Sequence, residues 1–354
     1  MYDVIIVGAG PSGATLARLI GQKYRVLVIE KRDFNKERFI IREKSCGGLV
    51  APDAQMMLAR FGLGIPKNVL QSPQIFAVRV LDFDNSLERY YQRNYINVDR
   101  ENFDRWIASL IPDRVKIEYN SLVRSFKVED DGVTVKFTKD GKEYEEKAEM
   151  IVGADGANSK IRREGFKTKS QLKQYITIQE WYKKESNIDY HSAIFDREIT
   201  DFYSWIIPKE DALIVGSALV PGSNAGEKFE LLKEKLNNKG FVLGDKIKTS
   251  GAYLARPTNA NQILTGIGRV ALIGEAAGFI SPSSAEGLSY GFRSALALST
   301  ALNEDFLRYD KLYKSYTRSL SGNIILKNMK TPFMYNKYLR KMVMKSGLSS
   351  LKVE

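Results

Sequence analysis

One cysteine, Cys46, and one histidine, His191, carry all the thiol and imidazole chemistry of this 354-residue chain. A lone thiol excludes an intramolecular disulfide framework and fits a reducing compartment. With one residue of each kind there is no zinc site of the CxxC or HExxH type, no His-rich iron site and no Ser-His-Asp triad of ordinary type. Difficult chemistry in such a chain belongs to an organic cofactor. The residues that could hold one stand at the N-terminus, where Gly8-Ala9-Gly10-Pro11-Ser12-Gly13 forms a GxGxxG and Glu30 follows. Gly8 suits a tight turn, Gly10 lets the backbone approach a pyrophosphate, and Gly13 lets helix and strand pack closely, while the helix N-terminus attracts the anion. Glu30 would accept hydrogen bonds from adenosine ribose hydroxyls, and its charge would repel a 2′-phosphate.

These residues act only if the chain around them folds as strand, turn, helix and strand. Tyr2 to Val7 reads as a buried strand, Pro11 to Gln22 as a helix and Arg25 to Glu30 as a second buried strand, a βαβ opening. Two later strands end in small-residue loops: Glu149 to Val152 leads into Gly153-Ala154-Asp155-Gly156-Ala157-Asn158-Ser159, and Arg269 to Ile273 leads into Gly274-Glu275-Ala276-Ala277-Gly278. Gly278 to Gly287 then precedes an apolar helix from Leu288 to Leu302, a second helix N-terminus for a polar ligand. Phe76 to Tyr91 alternates about Asp84-Asn85 as a hairpin, and Tyr175 to Tyr182 and Ala212 to Val220 read as strands of a separate, mostly antiparallel sheet. The expected class is α/β, an α+β two-lobed chain. A discontinuous Rossmann-like domain spans 1–75, 95–170 and 256–305, a β-sheet substrate domain spans 76–94 and 171–255, and a basic helical segment spans 306–354.

The net charge of +12 is unevenly placed: Lys311 to Val353 holds ten Lys/Arg and no Asp/Glu, and the rest of the chain is nearly neutral. After Pro332, the residues Met334, Tyr335, Tyr338, Leu339 and Met342 form an apolar stripe beside Lys337, Lys341 and Lys345, an amphipathic basic helix. It reads either as attachment to an anionic bilayer or as a helix docking its stripe on the body. The neutral body argues against nucleic acid as a partner. No run approaches the roughly 18 uncharged apolar residues of a membrane span. The first apolar stretch begins at residue 2 without a basic leader. A cytoplasmic protein is expected, peripheral on the inner membrane face if the tail binds lipid.

Three motifs thus stand in order: GxGxxG with Glu30, GADGANS near the middle, and GEAAG about two thirds along. Over nearly its whole length the chain resembles the FAD-dependent oxidoreductases of the p-hydroxybenzoate hydroxylase fold. Within them, Lys44-Ser45-Cys46-Gly47-Gly48-Leu49 is similar to the Cys-Gly-Gly segment of the geranylgeranyl reductase family, Tyr203-Ser204-Trp205-Ile206-Ile207-Pro208 to its YxWxFP, and Ser281 to Gly287 to its segment after GDAAG. The resemblance implies FAD, with Gly8, Gly10, Ser12, Gly13, Glu30 and Lys31 at its ADP half. Arg100 in Asp99-Arg100-Glu101-Asn102-Phe103-Asp104 matches an arginine on the flavin nucleotide, and Asp155 matches the mid-chain aspartate. Cys46, Gly47, Gly48, Gly274, Glu275, Ala285, Gly287 and Leu288 complete the implied cofactor set, and Glu286 could orient its loop over the flavin. Glu275 replaces the usual Asp with a side chain one methylene longer, and Ala285 stands where glycine is common. Thr200 and Ile207 depart from the proline and phenylalanine of the YxWxFP pattern.

The implied reaction is saturation of C=C bonds in an isoprenoid, geranylgeranyl-type and lipid-linked, with electrons from NAD(P)H or ferredoxin. The candidate catalytic residues are Cys46, Tyr203 and Trp205. Tyr203 and Trp205 alternate on a strand and form, with Ile207, an apolar wall suited to a prenyl chain. Cys46 is a pocket thiol that orients substrate or serves as an acid. His191 reads as a surface or satisfied structural histidine. A flavin monooxygenase, and a non-catalytic flavoprotein that binds a membrane or partner through the tail, remain alternatives.

Overall fold

The computed structural model describes residues 1–35, 46–166, 171–185 and 188–353. Lys44 and Ser45 of the Cys-Gly-Gly segment lie outside the described residues. The strand Tyr2–Val7 is paired in parallel on both sides, with Val26–Ile29 and with Lys142–Gly153. Covered on both faces, it has no need of a polar side, and so it reads as an unbroken apolar run. The parallel sheet continues to Lys116–Glu118 beyond Val26–Ile29 and to Val270–Leu272 beyond Lys142–Gly153. An antiparallel hairpin, Ser121–Glu129 and Gly132–Lys139, leads into Lys142–Gly153. Chain order along the sheet reverses at Tyr2–Val7, the point at which doubly wound sheets take ligands at the carboxyl ends of their strands.

Among the described residues the second sheet has nine strands; His191–Phe195 runs parallel to Ile75–Asp82, and Ala212–Leu219 runs antiparallel to Lys173–Lys183 and Ser204–Pro208. The hairpin is there, as Ile75–Asp82 with Leu87–Asn97, and so are Lys173–Lys183 and Ala212–Leu219. The helix Ala225–Asn238 covers one face, packing Phe229, Leu232 and Leu236 on Ile206, Leu213 and Val215. Side chains alternate along a strand, so Trp205 and Ile207 of Ser204–Pro208 take the other face.

One unit comprises Met1–Arg42, Phe103–Lys173 and Ala255–Lys327, the other Glu43–Asn102, Gln174–Leu254 and Asn328–Glu354. These units divide the chain at other places than the expected boundaries. Residues 95–102 and much of the stretch before 76 belong with the antiparallel sheet, because Leu49–Val50 pairs with Ile96 and Asn97 at the far end of the hairpin.

Residues from Asn328 onward contribute to the second unit. Ser350–Leu351 adds to the antiparallel sheet at Tyr90 and Tyr91. In the helix Lys337–Ser346, capped by the Asn336 side chain, Arg340 is buried and donates to Asp82 at 2.8 Å and Asp84 at 2.6 Å. Burial opposes the guanidinium charge, but the two carboxylates outweigh it and raise the Arg340 pKa. The helix therefore docks through an ion pair and Met344, not through the expected stripe. Of that stripe Tyr335 packs on Phe195 and Phe202, whereas Tyr338 and Met342 are exposed. Among the described residues no helix is long and apolar enough to cross a membrane.

Candidate functional sites: a glycine cradle and a thiol cluster

In the first unit, glycine-rich loops leave the carboxyl ends of Tyr2–Val7, Lys142–Gly153 and Val270–Leu272. Gly8 turns with φ +103°, and a Cβ on it would come 2.6 Å from the Ala154 carbonyl oxygen. The turn and the GADGANS loop can therefore meet only at a glycine. A Cβ on Gly13 would overlap the Gly8 carbonyl, which fixes how closely the helix Pro11–Ile20 approaches its own turn. Gly10 differs, since a Cβ there would meet no atom within 4 Å. It precedes a helix with no side-chain cap and no acid in its first turn. Backbone N–H groups, the positive end of a helix dipole and open space above Gly10 fit a pyrophosphate.

Glu30 is buried; its Oε2 accepts from Ala9 N at 2.6 Å, and its Oε1 from Arg32 N at 2.9 Å and Arg32 Nε at 3.0 Å. These donors leave about one of the roughly four acceptor positions of a carboxylate for a ribose hydroxyl. Arg32 also donates to Asp104 at 2.8 Å. Burial works against its charge, but Glu30 and Asp104 hold it firmly protonated. A guanidinium in contact with Glu30 blunts the repulsion of a 2′-phosphate that Glu30 alone would exert. Lys31 beside it is exposed.

Asp155 accepts from Ser159 Oγ at 2.5 Å, Lys160 N at 2.7 Å and Ile161 N at 3.3 Å, so its carboxylate is committed to the start of the helix Lys160–Gly165. Burial raises its pKa, against the pull of those hydrogen bonds. Glu275 accepts from Ala255 N at 3.0 Å. Ser12 Oγ lies where a Cβ on either Gly274 or Gly291 would fall, so the first helix, the GEAAG turn and the helix Leu288–Glu304 close on one another there. Ala285 holds φ +55°, a left-handed conformation that suits glycine. Its N–H donates to Ser281 O at 3.0 Å while Ser281 N donates to the carbonyl of Glu286 at 3.0 Å. This loop delivers Gly287 and Leu288 to a helix start that again has no side-chain cap and no acid.

In the second unit, Arg100 Nη1 donates to Cys46 Sγ at 3.0 Å. Lys209 occupies the turn after Pro208, where its N–H donates to Ala212 O at 2.8 Å, and its side chain folds inward. The ammonium donates to Val98 O at 2.8 Å and to Asn97 Oδ1. Asn97 has no solvent exposure, and its amide donates to Pro73 O at 3.0 Å and Pro208 O at 2.9 Å. Burial drives the Lys209 pKa down to about 7, while the charges of Cys46 and Asp99 pull it up. Gly48, at φ +65°, lies so close that a Cβ would sit 3.0 Å from Lys209 Nζ and overlap the Val98 carbonyl. A Cβ on Gly47 would strike Ile207, which puts the Cys46-Gly47-Gly48 segment on the Trp205 and Ile207 side of the sheet. The Trp205 ring lies over Gly216, its partner across the strands, and Nε1 donates to Gln179 at 3.3 Å. Tyr203, half-buried, has its ring 5.7 Å from that of Trp205.

Residues 6–34 match the NAD(P)-binding Rossmann-like domain family. Protein CbrA of Escherichia coli O6:H1 is 40% identical over 351 residues, covering 99% of this chain and 94% of that protein. The chain belongs to the CbrA family. Among solved structures it is similar to a geranylgeranyl bacteriochlorophyll reductase-like protein of Thermoplasma acidophilum, with TM-score 0.81 and 20% identity, over 98% of this chain and 91% of that one. It is also similar to PqsL of Pseudomonas aeruginosa, a probable FAD-dependent monooxygenase, with TM-score 0.72 and 18% identity over 98% and 99% of the two chains. The fold is that of the FAD-dependent oxidoreductases.

In this CbrA-family chain the structure groups Cys46, Gly47, Gly48 and Arg100 with Ile207 in the second unit, and assigns Gly8, Gly10, Ser12, Gly13, Glu30, Asp155, Gly274, Glu275, Ala285, Gly287 and Leu288 to the first. Sequence reasoning passed over Arg32, Asn97, Lys209 and Gly216. Lys209 had a signal, its place directly after Ile207-Pro208; Asn97 had none. His191 is buried at a strand start, with Nδ1 3.2 Å from Ile206 O and its ring edge-on to Tyr95, and burial lowers its pKa to about 4. Among the described residues no three His, Cys, Asp or Glu side chains cluster as metal ligands.

Proposed function

We propose that this chain is an FAD-dependent reductase that saturates C=C bonds of an isoprenoid chain, geranylgeranyl-type and lipid-linked. The observation that carries the reading is the second unit's sheet face, where an apolar wall of Trp205 and Ile207 meets a segment bearing the chain's single thiol among buried cations. Reduced FAD, when bound, supplies a hydride. Its pyrophosphate fits the open helix start at Gly10, and its adenosine ribose the remaining acceptor position of Glu30.

The chain's own task is to exclude water and provide a proton. The apolar face does the first, since prenyl groups displace water from indole and aliphatic surfaces. For the second, the buried Lys209 amine, within electrostatic reach of Cys46, holds the proton on Nζ. Lys209, near pKa 7, can release a proton at physiological pH and regain it from water. Asn97 and the Val98 carbonyl position Nζ throughout.

The test is anaerobic. The flavin is reduced chemically, a geranylgeranyl lipid is added, and the flavin spectrum and lipid mass are followed. Reoxidation with a gain of two hydrogens per turnover supports the reading. A product formed only when oxygen is admitted overturns it in favour of the monooxygenase, the reading to which the likeness with PqsL lends weight.

A further inference from the structure

We propose that the helical tail docks this protein on an anionic lipid bilayer through a built face of apolar and basic side chains. On the helix Arg318–Tyr335, Leu326, Met329 and Phe333 follow at spacings of three and four, so they share a face, and they are 58%, 68% and 46% exposed. On Lys337–Ser346, Tyr338 and Met342 share a face in the same way and are 68% and 59% exposed; Leu348 just beyond is 70% exposed. Isolated apolar residues at a surface mean little, but each of these two helices turns outward large apolar side chains that share a face, with exposed lysines close by in sequence.

The chemistry of the cover follows from what lies beside them. Lys330, Lys341 and Lys345 are exposed, and from Lys311 to Val353 there is no carboxylate. Arg340, the tail's one deeply buried cation, is consumed by Asp82 and Asp84, and that bond holds the outer face of its helix outward. Apolar groups that enter the acyl boundary, with ammonium groups at phosphate depth, are the pattern of an interfacial helix. An acid-free face on a nearly neutral body favours anionic headgroups over zwitterionic ones. The proposal is independent of the reaction assigned above, because it rests on no residue of the cradle or the thiol cluster.

The full-length chain is sedimented with vesicles of equal parts phosphatidylglycerol and phosphatidylcholine, and with phosphatidylcholine alone. Binding only to the anionic vesicles, released by salt, is expected. Lys330→Gln, Lys341→Gln and Lys345→Gln together should weaken it about 100-fold, and the matching triple Lys→Arg variant should bind as the parent does. Phe333→Ser with Met342→Ser should weaken binding at unchanged charge. These positions are exposed, so the variants keep the fold, which an unchanged thermal melt verifies. No binding, equal binding to both vesicles, or an unchanged affinity in the Lys→Gln variant overturns the proposal. Self-association that Phe333→Ser abolishes, in the absence of vesicle binding, overturns it in favour of a second copy of the chain.

Discussion

The glycine cradle of the first unit and the thiol cluster of the second both manage charge away from bulk water, by opposite means. The cradle offers backbone N–H groups and a helix end to an anion that arrives from outside, and keeps its own side chains out of the way. The cluster brings its own charged groups: Arg100 on a sulfur, and a buried amine held by an amide and a carbonyl. A site made of absence tolerates no added bulk, whereas a site made of buried charge is tuned by which neighbour each group keeps.

Gly10→Val puts this contrast to its hardest test. A Cβ there meets no protein atom within 4 Å, so the fold should survive while FAD binding falls by about 100-fold or more. Flavin absorbance per chain, before and after reconstitution, reads the result, and full flavin content would break the assignment of the cradle.

The next effect belongs to the second unit. His191 has a pKa of about 4 in the fold against 6.5 for the free group. Between those values the unfolded chain binds the proton and the native one does not, so stability falls as pH drops from 6.5 towards 4, by about 3 kcal/mol at most. Denaturant titrations of the parent and of His191→Phe should differ in that slope.

Lys209→Met removes a cation near Cys46. Because Cys46 is the only cysteine, iodoacetamide labelling reports on it alone. Labelling below about pH 7, where Lys209 still carries a proton, should slow in the variant. The parent should also gain stability from pH 7 towards 10.5, where the unfolded lysine is protonated and the buried one is not; the methionine variant should lack that rise. A labelling profile that does not move would detach Lys209 from the thiol.

Smallest is Ala285→Gly, which relieves a left-handed alanine and should stabilise the first unit by about 0.5–1 kcal/mol, as read by denaturant midpoint.

The same contrast explains what was legible in the sequence. Strand, glycine turn, helix and Glu30 are contiguous, and backbone geometry alone ties each glycine to its task, so the cradle could be read residue by residue. Glu30's partner Arg32 was only two positions away, yet nothing in its type marks it as the cation that two carboxylates share. The cluster joins Cys46, Asn97 and Lys209 across more than a hundred residues through strand pairing, and no local pattern records that. An exposed lysine and a buried one are the same letter. The tail was read as an apolar stripe because helical spacing shows which residues share a face, but not which face the body takes.

Arg340 bears finally on how the chain is made. Asp82 and Asp84 leave the ribosome well before the cation that neutralises them, which follows 258 and 256 residues later, with the edge strand Ser350–Leu351 later still. The antiparallel unit cannot reach its final state during synthesis. It closes only after residues 340 to 351 have been made, and a chain cut before Arg340 leaves Asp82 and Asp84 without that counter-ion.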